Sequence, residues 1–291
     1  MPASALALGR AGRPVARAGR TRGRLLVGGA LVAAFALSAI LAPWIAPDDP
    51  AAVPAALSDT MLRPPEPAHP LGTDALGRDL LSRVLHGGRV SLALGLGVEI
   101  VIVALGVTIG LLAGYLGGWR DSLLMRVTDV VMAFPSLILA IGLIAVFEQP
   151  GLDKTALVLV VLGWTTIARV VRGEVLSLKE RDYVQAARAI GAGHTTLLLR
   201  HVLPNAVGPV IVAATIGVGS NMIAEAGLSF LGLGAQSPTI SWGSMLAEGQ
   251  TFLVSAPWVA FFPGAALLSA VLGINLLGDA LRDLLDPRFR P

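Results

Sequence analysis

The polar groups of this chain that could do chemistry stand inside long apolar runs. Glu99, Asp129, Asn221, Glu225 and Asn275 each interrupt a stretch made mostly of Ala, Val, Ile, Leu and Gly. A charge at the centre of a membrane costs about 2.5–3.5 kcal/mol on insertion scales, so such groups face a bundle interior or water. Glu225, Asn221 and Glu99 are therefore the candidates for a path through the molecule. For Glu225 three roles are open: lining or gating that path, a structural hydrogen bond to a neighbouring helix, and proton coupling. For Glu99 a contact with a partner subunit is a further one.

Catalytic chemistry is hard to build from what else is present. No glycine-rich stretch ends in Gly-Lys-Ser/Thr, so ATP hydrolysis is not expected of this chain. The histidines are His69, His86, His194 and His201, and no two stand at the i, i+4 spacing of a helical metal motif. Ser177 and Lys179, two residues apart, point in different directions on a helix and make no dyad. There is no Gly-x-Ser-x-Gly elbow. The absence of cysteine removes disulfides, thiolate metal sites and cysteine nucleophiles together. The expectation is a protein that is not an enzyme, with no catalytic residue, no metal and no cofactor.

The elements that must position these groups follow from hydropathy. Hydrophobic residues make up 54% of the chain and charged ones 14%. Soluble domains carry about 25% charged residues, so a bilayer is the solvent to consider first. The chain divides into a disordered basic tail (1–24), a first transmembrane helix (25–46), a polar loop (47–89) and a core (90–291) containing a charged loop (172–204). Within the core, further spans are expected near 90–116, 123–147, 155–171, 206–232 and 258–277, with a second polar loop at 233–256. At about 1.5 Å per residue each span can cross a hydrocarbon layer of about 30 Å. The expected fold is all-α: a polytopic transmembrane bundle of about six spans. Gly110, Gly114 and Gly118 recur every four residues, a spacing that lets helices cross closely.

Arginine bias gives the orientation. Segments 1–24, 117–122, 172–204 and 278–291 hold most of the basic residues outside the spans, whereas 148–154 and 233–256 hold only Lys154. Both termini are thus expected in the cytoplasm. The first outer loop is the exception, with Arg63, Arg78, Arg83 and Arg89 among Asp48, Asp49, Asp59, Glu66, Asp74 and Asp79. The overall basicity is read as membrane orientation, since no basic patch interleaved with aromatics suggests nucleic acid.

The charged loop holds the most specific pattern. In RDYVQAARAIGAGHTTLLLRHVLPN (181–205), Tyr183, Ala186, Ala187 and Ile190 fall at i, i+3, i+4 and i+7, one narrow apolar face of a short helix. Gly191 and Gly193 stop it, and a second short helix from Thr195 is expected to end before Pro204. The small residues fit a helix laid in a partner's groove better than one lying on lipid, where Leu, Phe and Trp serve.

This loop resembles the one shared by ABC importer permeases: Glu-Ala-Ala, three residues, Gly, nine residues, Ile, one residue, Leu-Pro. Here it reads Gln185-Ala186-Ala187, Gly191 and Leu203-Pro204, with Gln185 in place of Glu and His201 in place of Ile. HPLGTDALGRDLLSRVLHGGRVSL (69–92), LSFLGLGAQSPTISWGSML (228–246) and NLLGDALRDLLDPRFR (275–290) are similar to signatures of the C-type permease of dipeptide, oligopeptide and nickel importers. The resemblance implies a type I importer permease fold in a bacterial inner membrane. It implies a sister permease forming a heterodimer, two ATPase subunits, and an extracytoplasmic solute-binding protein. It further implies coupling to the ATPase through Tyr183, Gln185, Ala186, Ala187, Ile190, Gly191, Leu203 and Pro204. The expected cargo is peptide, with nickel as the alternative. An ion-coupled secondary transporter would need an internal repeat, and none is evident.

Overall fold

In lipid, a segment must satisfy its own backbone N–H and C=O groups, so apolar runs become helices. The computed structural model of the chain describes residues 13–55 and 57–285. Its helices are α1 (Arg13–Ile45), α2 (Leu57–Thr60), α3 (Leu80–Leu116), α4 (Gly118–Met132), α5 (Ser136–Ile144), α6 (Leu152–Leu178), α7 (Asp182–Ala189), α8 (His194–Thr196), α9 (Leu203–Phe230), α10 (Trp242–Gly249) and α11 (Trp258–Leu285). Among the described residues the pairings of strand type are two isolated bridges, Glu66 with His69 and Thr73 with Asp79. The fold is all-α as expected. Among the described residues, five helical stretches are long and apolar enough to cross a membrane, and a sixth crossing results if α4 and α5 count as one.

Several boundaries differ from the sequence expectation, each for a local reason. Residues 13–24 were expected as disordered tail, but α1 already begins at Arg13. Arg24 lies 3.7 Å from Asp283, and Thr21 donates a 2.9 Å hydrogen bond to the same carboxylate, so α11 supplies partners for this end of α1. Residues 1–12 lie outside the described residues. The second span starts at Leu80, ten residues before the expected edge, with Asp79 as its N-cap accepting from the Ser82 N–H. The third span is not straight: α4 and α5 meet at 86°. Pro135, extended at φ −58° and ψ 121°, accounts for the break, since a residue before proline avoids the helical region. The helix expected to end before Pro204 does not end there. It passes through a π-helical segment, Leu197–Val202, into α9 with Pro204 in the first turn of α9. Proline has no N–H to give the preceding turn, and the wider π spacing absorbs that mismatch.

The bundle is joined along glycine seams. On α3 the packed stripe is Gly106, Gly110 and Gly114, one step earlier than the spacing from Gly110 to Gly118 suggested. A Cβ on Gly110 would stand 2.6 Å from the Ala168 carbonyl oxygen, and one on Gly114 2.8 Å from Cβ of Val175. The α3 and α6 backbones are thus as close as their side chains permit. α1 crosses α11 in the same way at Gly28 and Gly273. A core of Val98, Ile102, Ile144, Val158, Ile167, Val171 and Leu228 fills the space between α3, α5, α6 and α9.

Candidate functional site

The loop between α6 and α9 is a mounted platform. Val184 and Ala187 of α7 are buried and pack with Leu197, Ala192 and Tyr115 of α3. The Tyr115 hydroxyl lies 2.8 Å from Nδ1 of His194, with the two rings edge to face. Gln185 donates from Nε2 to the Lys179 carbonyl at 2.8 Å, and Lys179 Nζ donates to the Gly114 carbonyl at 3.2 Å. Gly191, at φ +90°, closes α7 in the left-handed conformation with open space around it.

That mounting corrects the predicted apolar face. Tyr183, Ala186 and Ile190 are exposed, Ile190 at 87%, but Ala187 points inward at 9%. The outward face is therefore Tyr183, Ala186 and Ile190, and Val184 joins Ala187 beneath it. Leu203 is half-buried and Pro204 exposed at the start of α9, on the continuous helix that carries the platform into the bundle.

A cleft of about 740 Å³ opens between α4, α5, α6 and α9. The 86° bend makes it, because α5 leaves the line of α4. Its polar lining consists of Ser136, Thr165, Thr166, Ser220 and Asn221, all uncharged, among Phe134, Leu159, Leu162 and Leu228. Near the cleft, toward the platform, Arg169 of α6 reaches Asp129 of α4 at 2.6 Å. Farther along, Arg172 grips Asp121 with two hydrogen bonds of 2.6 and 2.7 Å. These two pairs bind the α4 arm to α6, and Arg169 was not singled out from sequence. An acidic residue and an arginine within apolar runs on consecutive spans was the signal available.

Of the three candidate pathway residues, Asn221 alone is on the cleft wall. Its Nδ2 donates to Oε2 of Glu99 at 2.8 Å. Glu99 lies behind it, 4% exposed, with its carboxylate packed on Gly217 of α9. Glu225 is elsewhere. It is fully buried between α3, α9 and α10 and accepts from Ser91 at 3.2 Å and from Ser229 at 2.7 Å. The Ser91 hydroxyl in turn accepts the Trp242 N–H at 3.2 Å, and the Ser229 hydroxyl accepts the Ala235 N–H at 2.9 Å. Of its open roles, this geometry matches the structural hydrogen bond: Glu225 fastens the segment after α9 into the bundle.

That segment, expected as a polar loop over 233–256, contains α10 tucked between helices. Trp242 is 1% exposed and donates its indole N–H to the Val84 carbonyl at 2.9 Å. A Cβ on Gly243 would stand 2.6 Å from the Ala226 carbonyl oxygen, which fixes how closely α10 lies on α9. At the same end, Arg83 is 1% exposed and donates to both oxygens of Glu248, at 2.9 and 2.7 Å. Arg78 bridges Asp74 at 2.7 Å and Glu248 at 3.0 Å. Two of the arginines that broke the orientation rule are thus held in ion pairs rather than left as free positive charge.

Comparison with known proteins agrees with this architecture. The family profile described as "Binding-protein-dependent transport system inner membrane component" matches residues 106–291. The chain is 39% identical over 265 residues to the dipeptide transport system permease protein DppC of Alkalihalophilus pseudofirmus, covering 91% of this chain and 86% of that one. It is 45% identical over 232 residues to the glutathione transport system permease protein GsiD of Pectobacterium atrosepticum, covering 80% and 77%. It is 42% identical over 258 residues to the di/tripeptide transport system permease protein DppC of Pseudomonas aeruginosa, covering 87% and 84%. A chain of the MetNI methionine ABC transporter, in an inward-facing conformation, superposes with a TM-score of 0.58 at 20% identity, covering 69% of this chain and 95% of that one.

Proposed function

The chain belongs to the binding-protein-dependent transport system inner membrane components, the permease subunits of ABC importers, and on that premise we propose that it carries short peptides across the inner membrane. Its relatives named for dipeptides, di/tripeptides and glutathione point to a cargo of two or three residues. The cleft volume lies in the range that encloses molecules of that size. Hydroxyl and amide groups along it can bond peptide N–H and C=O groups, and a wall without charge does not hold a zwitterion tightly. Asn221, kept in place by Glu99, is the polar group proposed to meet the cargo.

The observation that carries the reading is the outward face of α7. Tyr183, Ala186 and Ile190 are exposed on a helix that is fixed from beneath. We assign that face to the ATPase, with Gly191 ending the helix and Leu203–Pro204 passing its motion into α9. In this assignment both termini and α7 are cytoplasmic, and α10 with the 47–79 loop faces the binding protein. A sister permease completes the pathway on the open side of the cleft. The bundle then works as a two-state gate, which the binding protein and the ATPase pair bias by differing contacts in each state.

Reconstitution in vesicles with the sister permease, ATPase pair and binding protein tests this. The expected result is uptake of labelled dipeptide or glutathione that requires ATP and the binding protein. Uptake by the chain alone, following an ion gradient, would replace the reading with a secondary transporter.

A further inference from the structure

The end of the bundle opposite α7 carries a group of side chains that neither the cleft nor the α7 platform uses. His69, in the loop between α2 and α3, has Nδ1 3.0 Å from Oδ1 of Asp79, the buried N-cap of α3. Asp48, just past α1, adds a second carboxylate. One potential ligand atom from each of the three residues lies within 4.8 Å of the others. The framework beneath them is held by its own hydrogen bonds. The Asp48 N–H donates to the Ser82 hydroxyl at 3.0 Å, and that hydroxyl donates to Oδ2 of Asp79 at 2.8 Å. The Ser82 N–H reaches the same oxygen at 2.7 Å. Asp48 and Asp49 also line, with His86, a recess of about 520 Å³.

We propose that Asp48, His69 and Asp79 bind a divalent transition cation of the zinc class. Zinc holds nitrogen and oxygen ligands at about 2.0–2.2 Å, which puts neighbouring ligand atoms a little over 3 Å apart. The His69–Asp79 pair already stands at 3.0 Å. The Asp48 residue is exposed, and its side chain takes no part in the hydrogen bonds just described, so it is free to close the remaining distance. An imidazole with two carboxylates suits zinc, nickel or manganese better than calcium, which takes six to eight oxygens. The cation takes the place of the proton between His69 and Asp79, and that proton moves to Nε2 or to solvent. Bound there, it ties the end of α1, the loop before α3 and the first turn of α3 into one unit. The cleft is walled by other helices, so this site stands independently of the cargo reading.

The full-length chain, purified without a histidine tag and stripped with chelator, is titrated with Zn²⁺ by calorimetry and with Co²⁺ by visible absorption. One equivalent should bind with micromolar affinity or better, the Co²⁺ complex should show ligand-field bands, and the melting temperature should rise by several degrees in excess Zn²⁺. Asp48→Asn and His69→Gln should each weaken binding about tenfold or more, while His201→Gln leaves it unchanged. No binding by the unaltered chain, or binding that Asp48→Asn leaves intact, overturns the proposal. Asp48→Asn decides alone if His69→Gln does not fold.

Discussion

Glu99 and Glu225 are both buried carboxylates on membrane-crossing helices, yet their surroundings differ. Both oxygens of Glu225 accept from serine hydroxyls, whereas Oε1 of Glu99 has no hydrogen-bond partner. Glu225→Ala should therefore destabilise the protein by about 1–3 kcal/mol, because Ser91 and Ser229 lose a shared acceptor. Thermal unfolding in detergent measures the loss, and faster proteolysis near residues 233–241 should accompany it. Glu99→Gln keeps an acceptor for Asn221 and removes an incompletely paired carboxylate, so its stability should be equal or higher. The two alanines of α7 separate in the same manner. Ala186→Asp changes an exposed residue and should abolish ATP-driven uptake while the chain folds normally. Ala187→Asp places a carboxylate against Val184 and Leu197 and should lower the melting temperature before any question of coupling arises. Equal melting temperatures for the two variants would refute this division of the helix. Both alanines fit one helical face by spacing, so the neighbour packed below α7 had to be known before they could be told apart.

Among elements, the seam between α3 and α6 sets how rigid the bundle is. Gly110→Val would push a branched side chain into the Ala168 carbonyl and Val171. A backbone oxygen cannot give way as a side-chain end can, so a cost of about 1–3 kcal/mol is expected, read as a lowered melting temperature. Gly97→Ala on the same helix, with open space around it, is the control and should be neutral. The α4–α5 bend is the other element on which the proposed pathway depends. It creates the cleft, and Arg169–Asp129 and Arg172–Asp121 hold the α4 arm against α6. The apolar period placed a span over these residues. Pro135 was a visible warning of a break, but the angle of the break depends on how α5 packs against α6.

At the scale of the whole molecule, Arg83 and Glu248 join segments 165 residues apart, the start of α3 and the inserted α10. Glu248→Ala leaves a buried guanidinium with Asp74 as its remaining carboxylate, at 3.3 Å. A loss of about 1–2 kcal/mol is expected, because Arg83 is buried and loses its hydrogen-bonded partner, while the 43% exposure of Glu248 screens the pair and Asp74 stays within reach. An unchanged unfolding midpoint would show that water reaches Arg83. Membrane residence, the approximate crossings and a helix with an apolar face within 181–204 were all legible in the residues alone. Those properties sum over many neighbouring residues, so errors at single positions cancel. The family resemblance was legible too, because it is written in contiguous motifs. Packing was needed to show that Ala187 faces inward, that Glu225 fastens α10 while Asn221 reaches the cleft, and that Asp48, His69 and Asp79 converge. Each of these depends on what packs against a given residue from elsewhere in the chain, and the spacing of residues along one helix carries no record of that neighbour.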